Sequence, residues 1–362
     1  MLGLIADDLT GAGDASVQFA KRGWRTFVSW GLSPEQLRES APEVLAVTTD
    51  SRALSNDVAE QRTADALNAL MNLGIGLVFL KIDSTMRGSV AGQVAGALKA
   101  WRTRYPDARA VVCPAYPRMG RTVESNRLLV NGEPVERTAF GRDPVTPVHT
   151  SEMGRLLPQS PHIRVVDAAT DADLERIAAS IAADGPAVIP VGSGGLAEAL
   201  AETWVESVRS VRLQPDLDSR QPDLSNLANR ANSRILLQLS SLNPVSHTQV
   251  ARLKAAFPDV VVLSSPEERG DSAEVAANLA RAAAAYVKSG ECDVLGMIGG
   301  DGARATLERL GASGIRVVGS LVEGIPLGIV SGGDADGMLV FTKAGGFGAD
   351  DALVRAVEGI RS

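Results

Sequence analysis

Cysteine is almost missing from this sequence: two residues, Cys113 and Cys292, stand far apart. With no CxxC and no Cys/His cluster, neither a disulfide framework nor a structural zinc site is expected. So little cysteine fits a reducing compartment, and a cytoplasmic location is expected. The N-terminus lacks both a basic segment and an apolar stretch of about 7–15 residues, so no signal peptide is expected. No apolar run approaches the roughly 18 residues of a membrane span. Positive charge is also short: the formal net charge is −7, which speaks against a general binder of nucleic acid or of anionic membranes. The dipeptide Gly-Lys does not occur, which excludes a Walker A phosphate loop. What the 362 residues do have is 45% hydrophobic and 22% charged side chains, enough for a packed core and a length typical of two domains.

Along the chain, short apolar runs alternate with helical patterns. Strands are expected at 2–6, 26–30, 44–48, 77–80, 110–112, 164–166 and 187–191, with helices between them, including one over 34–39. This is the rhythm of a mainly parallel sheet covered by helices on both faces. Residues 116–150 break it with Pro, Arg, Gly and Thr, and read as a long loop, functional or disordered. Residues 209–233 repeat Gln-Pro-Asp-Leu amid Ser, Asn and Arg and read as a linker. Alternation then restarts, with strands expected at 235–239, 260–263, 294–298, 316–318 and 339–342. The expected architecture is therefore two α/β domains, residues 1–208 and 234–362, each on a mainly parallel sheet.

The strand ends carry the chemistry, because parallel strands deliver side chains to their carboxyl edge. In the first half they deliver Asp7 and Asp8, then Asp50 and Arg52, then Lys81, Asp83, Ser84 and Arg87. Cations beside carboxylates and hydroxyls suit a small polyhydroxylated acid, with an Asp near a substrate hydroxyl available as a general base. The plainer alternatives are that Asp7 or Asp8 only caps the following helix, and that Lys81–Asp83 and Arg52–Asp50 are local ion pairs. In the second half, Gly299-Gly300-Asp301-Gly302 and Gly345-Gly346-Phe347-Gly348 each follow a strand and precede a helix, with Lys343 beside the second. Two such turns let backbone approach a phosphate chain, so a nucleotide site is expected. Gly192-Ser193-Gly194-Gly195-Leu196-Ala197 fits a dinucleotide fingerprint. It leaves an NAD-dependent dehydrogenase as a rival, although the polar linker stands where a partner strand should follow. Gly11-Ala12-Gly13-Asp14 looks like the ribokinase signature but lies at the wrong end of the chain for it, and is set aside.

Taken together, these residues resemble the four-carbon acid sugar kinase family along nearly the whole chain. The resemblance rests on IADDLTGAGDAS at 5–16, TDSR at 49–52, KIDSTMRGS at 81–89, the 120–148 segment, GSGGLAEAL at 192–200, SSLNPVSHTQ at 240–249, GGDGARATLERLG at 299–311, Glu323 to Pro326 and TKAGGFG at 342–348. It implies an acid-sugar domain followed by a nucleotide domain, the active site in the cleft between them, and ATP-dependent phosphorylation of the terminal hydroxyl. D-threonate or D-erythronate is the expected substrate, with L-threonate and 3-oxo-tetronate as alternatives. It also implies acid-sugar contacts from Asp8, Arg52, Lys81, Asp83, Ser84, Thr85 and Arg87, with Asp7 or Asp8 as base. Nucleotide contacts are implied from Ser241, Gly299, Gly300, Asp301, Gly345, Gly346, Phe347 and Gly348. ATP and Mg²⁺ are the expected cofactors, with Mg²⁺ on the phosphates and no metal site in the chain itself. No nucleic-acid or membrane partner is expected, a homo-oligomer is possible, and a non-catalytic acid-sugar sensor is the remaining rival. Two departures stand out: the family usually has Gly-Ser where this chain has Ser240-Ser241, and Thr or Ser where it has Gly302.

Overall fold

A computed structural model describes residues 1–31, 41–209, 232–265 and 272–362. The helix expected over 34–39 and nearly all of the linker lie outside them. The chain divides into two units: Met1–Trp24 with Pro42–Asp216, and Arg25–Ala41 with Leu217–Ser362. In chain order the strands are β1 (Leu2–Ala6), β2 (Thr26–Ser29), β3 (Val44–Thr48), β4 (Leu77–Lys81), β5 (Arg109–Cys113), β6 (Arg121–Glu124), β7 (Arg127–Val130), β8 (Glu133–Pro134), β9 (Ile163–Val165), β10 (Val188–Gly192), β11 (Ile235–Leu239), β12 (Val261–Ser264), β13 (Val294–Ile298), β14 (Gly314–Val322), β15 (Ile325–Ser331) and β16 (Leu339–Lys343).

The first unit is built on a wholly parallel sheet in the order β3-β1-β4-β10-β5-β9. Every residue of β1 is buried, as expected of a central parallel strand covered on both faces. The helix Leu9–Ala20 follows it directly and is buried from Leu9 to Phe19. Phe19 stacks on Trp204 of the Gly194–Arg209 helix at 6.3 Å and meets Trp24 edge-on at 5.9 Å. These contacts hold the C-terminal end of the helix, while Asp8 caps its start.

Residues 116–150 are not one long loop. They hold the antiparallel sheet β6-β7-β8 and short 3₁₀ turns. Ser125 and Asn126, and then Asn131 and Gly132, take positive φ at the two hairpin turns. Two-residue hairpins need that left-handed backbone, and Asn-Gly supplies it at little cost.

The second unit carries the order β12-β11-β13-β16-β15-β14-β2. Its β12-β11-β13-β16 portion is parallel, whereas β16-β15-β14-β2 is antiparallel. The expectation of a mainly parallel sheet therefore holds for the first unit and not for this one. The cause is connection length: Glu323-Gly324 joins β14 to β15 in a tight turn, and so short a link permits only antiparallel pairing. The strand at 325–331 passed unseen in the sequence. β2, expected within residues 1–208, pairs with β14 from Thr26↔Val317 to Ser29↔Gly314. Its segment is pinned to the second unit by Trp30 Nε1 on the Ala312 carbonyl at 3.1 Å and by Arg304 over the Trp30 ring at 5.5 Å.

Candidate active site

In the first unit, β3, β1 and β4 are neighbours in register, with Thr48 and Lys81 both opposite Ala6. Their carboxyl ends therefore open side by side, and from the three expected sets Asp7, Asp8, Arg52, Asp83 and Arg87 meet, whereas no ion pair forms between Arg52 and Asp50 among the described residues. Arg52 is the hub. It grips Asp7 with two hydrogen bonds, Nε to Oδ2 at 2.8 Å and Nη2 to Oδ1 at 2.9 Å. Its Nη1 lies 2.5 Å from Asp8 Oδ2, and its Nη2 lies 3.8 Å from Asp83 Oδ2. Asp83 in turn accepts from the Thr85 N–H at 2.9 Å, from the Thr85 hydroxyl, and from Arg87 through Nε at 3.2 Å and Nη2 at 2.8 Å. Gly88 lets this loop close on Arg52: its φ is +86°, and a Cβ there would stand 2.9 Å from the Arg52 carbonyl.

Asp8 caps the Leu9–Ala20 helix, taking the Gly11 N–H at 2.5 Å and the Thr10 hydroxyl at 3.1 Å. It also holds Arg52, so the capping reading and the site reading describe the same carboxylate. Lys81 does not pair with Asp83. Its Nζ donates to the Ile82 carbonyl at 3.1 Å and lies 3.6 Å from Asp14 Oδ2. Ser84 Oγ is buried with no partner among the described residues.

Burial sets the electrostatics. It pushes the Asp7 carboxyl above its usual range; Arg52 opposes this and the neighbouring Asp8 adds to it. Burial also opposes ionisation of Asp83, yet the Arg87 and Arg52 guanidiniums and the Arg87 and Thr85 hydrogen bonds outweigh it, holding Asp83 well below the usual range. Desolvation disfavours the Arg52 cation too, and Asp7, Asp8 and Asp83 reverse that, raising it well above its ordinary value.

Three members of this cluster were missed in the sequence. Arg87 Nη1 reaches Asp143 Oδ2 at 3.3 Å, and Asp143 Oδ1 accepts the Val145 and Thr146 N–H groups at 3.0 and 2.9 Å. Arg87 lies over the Phe140 ring at 5.1 Å and Arg121 over it at 5.6 Å. The signals were that 116–150 broke the α/β rhythm and that the 120–148 segment carried part of the family resemblance.

In the second unit, β11, β13 and β16 are likewise adjacent and parallel, with Leu239 opposite Ile298 and Ile298 opposite Lys343. Ser241, the Gly299 turn and the Gly345 loop meet there. A Cβ on Gly299 would lie 2.5 Å from Ser240 Oγ and 3.1 Å from the Ser241 nitrogen, and one on Gly345 would overlap Ser241 Oγ. Gly299 and Gly300 open the Gly300–Arg309 helix, whose first turn holds Asp301. Phe347 is buried and packs near Gly324 rather than facing outward. The two family departures touch each other: a Cβ at Gly302 would collide with the Ser240 side chain. Ser240 therefore fills the space that a side chain at 302 would claim, and its hydroxyl donates to the Ile298 carbonyl at 2.9 Å.

This edge fits a nucleotide's phosphates, since close-packed glycines and a helix start present backbone N–H groups. Among the described residues no three His, Cys, Asp or Glu side chains converge as a metal site. A Mg²⁺ carried on phosphates keeps mostly phosphate and water ligands and needs no such cage. The Gly192 turn does not fit a dinucleotide. Ser193 Oγ donates to the Ala115 carbonyl at 2.7 Å, and added Cβ atoms would stand 2.8 Å from Asp14 Oδ2 at Gly194 and 2.8 Å from the Ala115 carbonyl at Gly195. That turn is already filled by protein. Among the described residues no helix is long and apolar enough to cross a membrane.

The chain's similarities follow the same division. Residues 2–162 match a sugar-binding N-terminal domain family and residues 196–353 a nucleotide-binding C-terminal domain family. A D-threonate kinase of Bordetella bronchiseptica is 36% identical over 99% of this chain and 97% of its own length. A D-erythronate kinase of Heliobacterium modesticaldum is 27% identical over 98% and 96%. A crystal structure from Bordetella bronchiseptica, a domain-swapped dimer with bound citrate, is 35% identical with a TM-score of 0.54, covering 99% of this chain and 98% of its own. A Haemophilus influenzae structure shares the fold at a TM-score of 0.68 and 17% identity, covering 99% of this chain and all of its own. With such identity running the length of both chains, and the two domain families matched in order, the chain belongs to the four-carbon acid sugar kinase family.

Proposed function

We propose that the chain is an ATP-dependent kinase that phosphorylates the terminal hydroxyl of D-threonate or D-erythronate. The observation that carries this reading is the Arg52 cluster: three adjacent strand ends joining cations, carboxylates and hydroxyls in one buried network. Threonate and erythronate kinases among the relatives point the same way.

The geometry supports distinct roles. Asp7 is fully buried and both its oxygens are held by Arg52, so it positions Arg52. The Asp8 side chain retains 9% exposure and is the carboxylate that can meet a substrate hydroxyl. Asp8 takes the hydroxyl proton as the oxygen attacks the γ-phosphorus, and the bond to the ADP oxygen breaks. Among the described residues Lys81 makes one hydrogen bond and one 3.6 Å ion pair, with Asp14, and has donors left for the substrate carboxylate, beside Arg52 and Arg87. Ser84 and Thr85 face the polyol hydroxyls. On the second unit, Ser241 and the turns at Gly299 and Gly345 hold the nucleotide, whose Mg²⁺ neutralises phosphate charge during transfer. A homo-oligomer belongs to the same reading, because the Bordetella relative forms a dimer.

An ADP-release screen across threonates, erythronates and 3-oxo-tetronates tests this reading. D-threonate or D-erythronate should stand out, and Asp8→Asn should lower kcat on it by at least about 100-fold. If 3-oxo-tetronate wins, the substrate assignment is wrong. If no acid releases ADP, the kinase reading is wrong.

A further inference from the structure

Five carbonyl groups of the loop after β16 are turned to the protein side by three buried side chains. Lys343 Nζ donates to the Ala344 carbonyl at 2.8 Å and the Gly345 carbonyl at 3.3 Å. Ser246 Oγ donates to the Gly345 carbonyl at 2.7 Å. Gln249 Nε2 donates to the Phe347, Gly348 and Ala349 carbonyls at 3.0, 3.1 and 2.8 Å. In a planar trans peptide the N–H points opposite to its carbonyl, and among the described residues every peptide is trans. The N–H groups of Gly345, Gly346, Gly348, Ala349 and Asp350 therefore face away from Lys343, Ser246 and Gln249. Those of Gly345, Gly346 and Gly348 have no acceptor among the described residues. Successive N–H groups exposed this way form an anion-binding concavity.

Lys343 is 1% exposed, and among the described residues it has no anionic partner. The charged or titratable groups on the surrounding elements are His247, Arg252 and Lys254 on the Pro244–Ala256 helix, Asp301 on the neighbouring turn, Arg316 on β14 and Glu323 on the β14–β15 turn. Asp350 and Asp351 follow the loop, and Arg355, Glu358 and Arg361 stand on the Ala352–Arg361 helix. None contacts Lys343 Nζ, and Arg252 is taken by Asp350 at 2.8 Å.

We propose that Lys343 is the positioning residue of the nucleotide loop, holding its N–H groups toward the phosphates and receiving from them the counter-charge its own surroundings lack. This rests on the reading of the second unit as the nucleotide domain. The phosphate need not touch the ammonium; it completes the charge from across the loop. Burial alone brings the free Lys343 down to about 7, so an arriving anion raises it and draws a proton from solvent.

The test measures ADP binding to the full chain by calorimetry at pH 8, in two buffers of different ionisation enthalpy. The wild type should take up roughly half a proton or more per ADP. Lys343→Met should weaken ADP at least about tenfold, abolish the uptake and raise KM for ATP, while threonate still stabilises the protein to heat as in the wild type. Ser246→Ala and Gln249→Leu should weaken ADP yet keep the uptake. ADP binding by the wild type without proton uptake overturns the proposal, as does a Lys343→Met protein with unchanged affinity. Should that variant fail to fold, the wild-type proton count decides alone. A wild type that binds no ADP overturns the nucleotide-domain reading instead.

Discussion

The contact between Ser240 and Gly302 makes a quantitative prediction. An added Cβ at 302 would collide with Ser240 Cβ and Oγ and stand 3.2 Å from Gln238 Nε2. Neither neighbour can yield easily. Ser240 Oγ is tied to the Ile298 carbonyl at 2.9 Å, while Gln238 donates to the Gly302 carbonyl at 3.0 Å and accepts from Thr306 Oγ1 at 2.8 Å. Gly302→Ser alone should therefore cost about 1–3 kcal/mol as overpacking. Ser240→Gly alone should cost about 1–2 kcal/mol, from one lost hydrogen bond and the greater freedom of glycine in the unfolded chain. The double variant moves the hydroxyl from the end of β11 to the first turn of the Gly300–Arg309 helix and relieves the collision, so it should sit well above the sum of the two. A double-mutant cycle by urea denaturation, following the second unit, should give a coupling of about 1–3 kcal/mol. Additivity within about 0.5 kcal/mol would refute the claim that the two positions share one space.

Three further outcomes follow from buried titratable groups. Asp83→Asn leaves Arg87 without its main counter-charge, and removing one partner of a buried pair should cost on the order of 3–5 kcal/mol by chemical denaturation. Because Asp83 is held well below 3.8 in the folded state, its stabilising contribution is complete above that value and fades as pH falls below it. The acid-unfolding limb of Asp83→Asn should be correspondingly flatter than that of the wild type. Lys343 gives a slope of the same sign in a higher window: between about 7 and 10.5 the unfolded chain binds the extra proton. Wild-type stability relative to Lys343→Met should therefore rise with pH across that window, by at most about 1.4 kcal/mol per pH unit. Cys113 is buried and its thiol is pushed up to about 12, so a thiol-alkylating reagent at pH 8 should leave it unmodified until the protein is denatured, as followed by mass spectrometry.

The parts of this protein that the sequence made legible are those governed by local rules. Strands such as 44–48, 235–239 and 294–298 lie where unbroken apolar runs place them, and their ends deliver the residues that chemistry singles out. Pairing over distance was not legible. β2 reads like any other strand of an α/β alternation, and only its register with β14 assigns it to the second unit. β15 was hidden because Pro326 and Gly328 interrupt its apolar run. In 116–150, Asn131-Gly132 was a hairpin signal that a general impression of loop composition passed over. The charges were legible as a set but not as pairs. Lys81 and Asp83 are close in sequence, yet Asp83 turns to Arg87 and Lys81 toward Asp14.

On the proposed reading, the two sheet edges would solve different recognition problems with the same device, a donor set pinned before its ligand arrives. A four-carbon acid differs from its stereoisomers only in where hydroxyls point, so the first edge needs side chains of defined direction. Arg52 is fixed by Asp7, Asp7 by burial, and Asp8 by the helix it caps. A freely rotating carboxylate at position 8 would pay for its own ordering when the substrate bound. The Gly11 and Thr10 hydrogen bonds have already met that cost in folding. A phosphate chain looks alike from many directions, so the second edge can use backbone N–H groups, and glycine lets them close in. There the pinning falls to Lys343, Ser246 and Gln249, whose side-chain hydrogen bonds among the described residues all go to carbonyls of the loop. Mutations at these three should therefore change nucleotide affinity without changing which acid is chosen, whereas mutations around Arg52 and Arg87 should do the reverse.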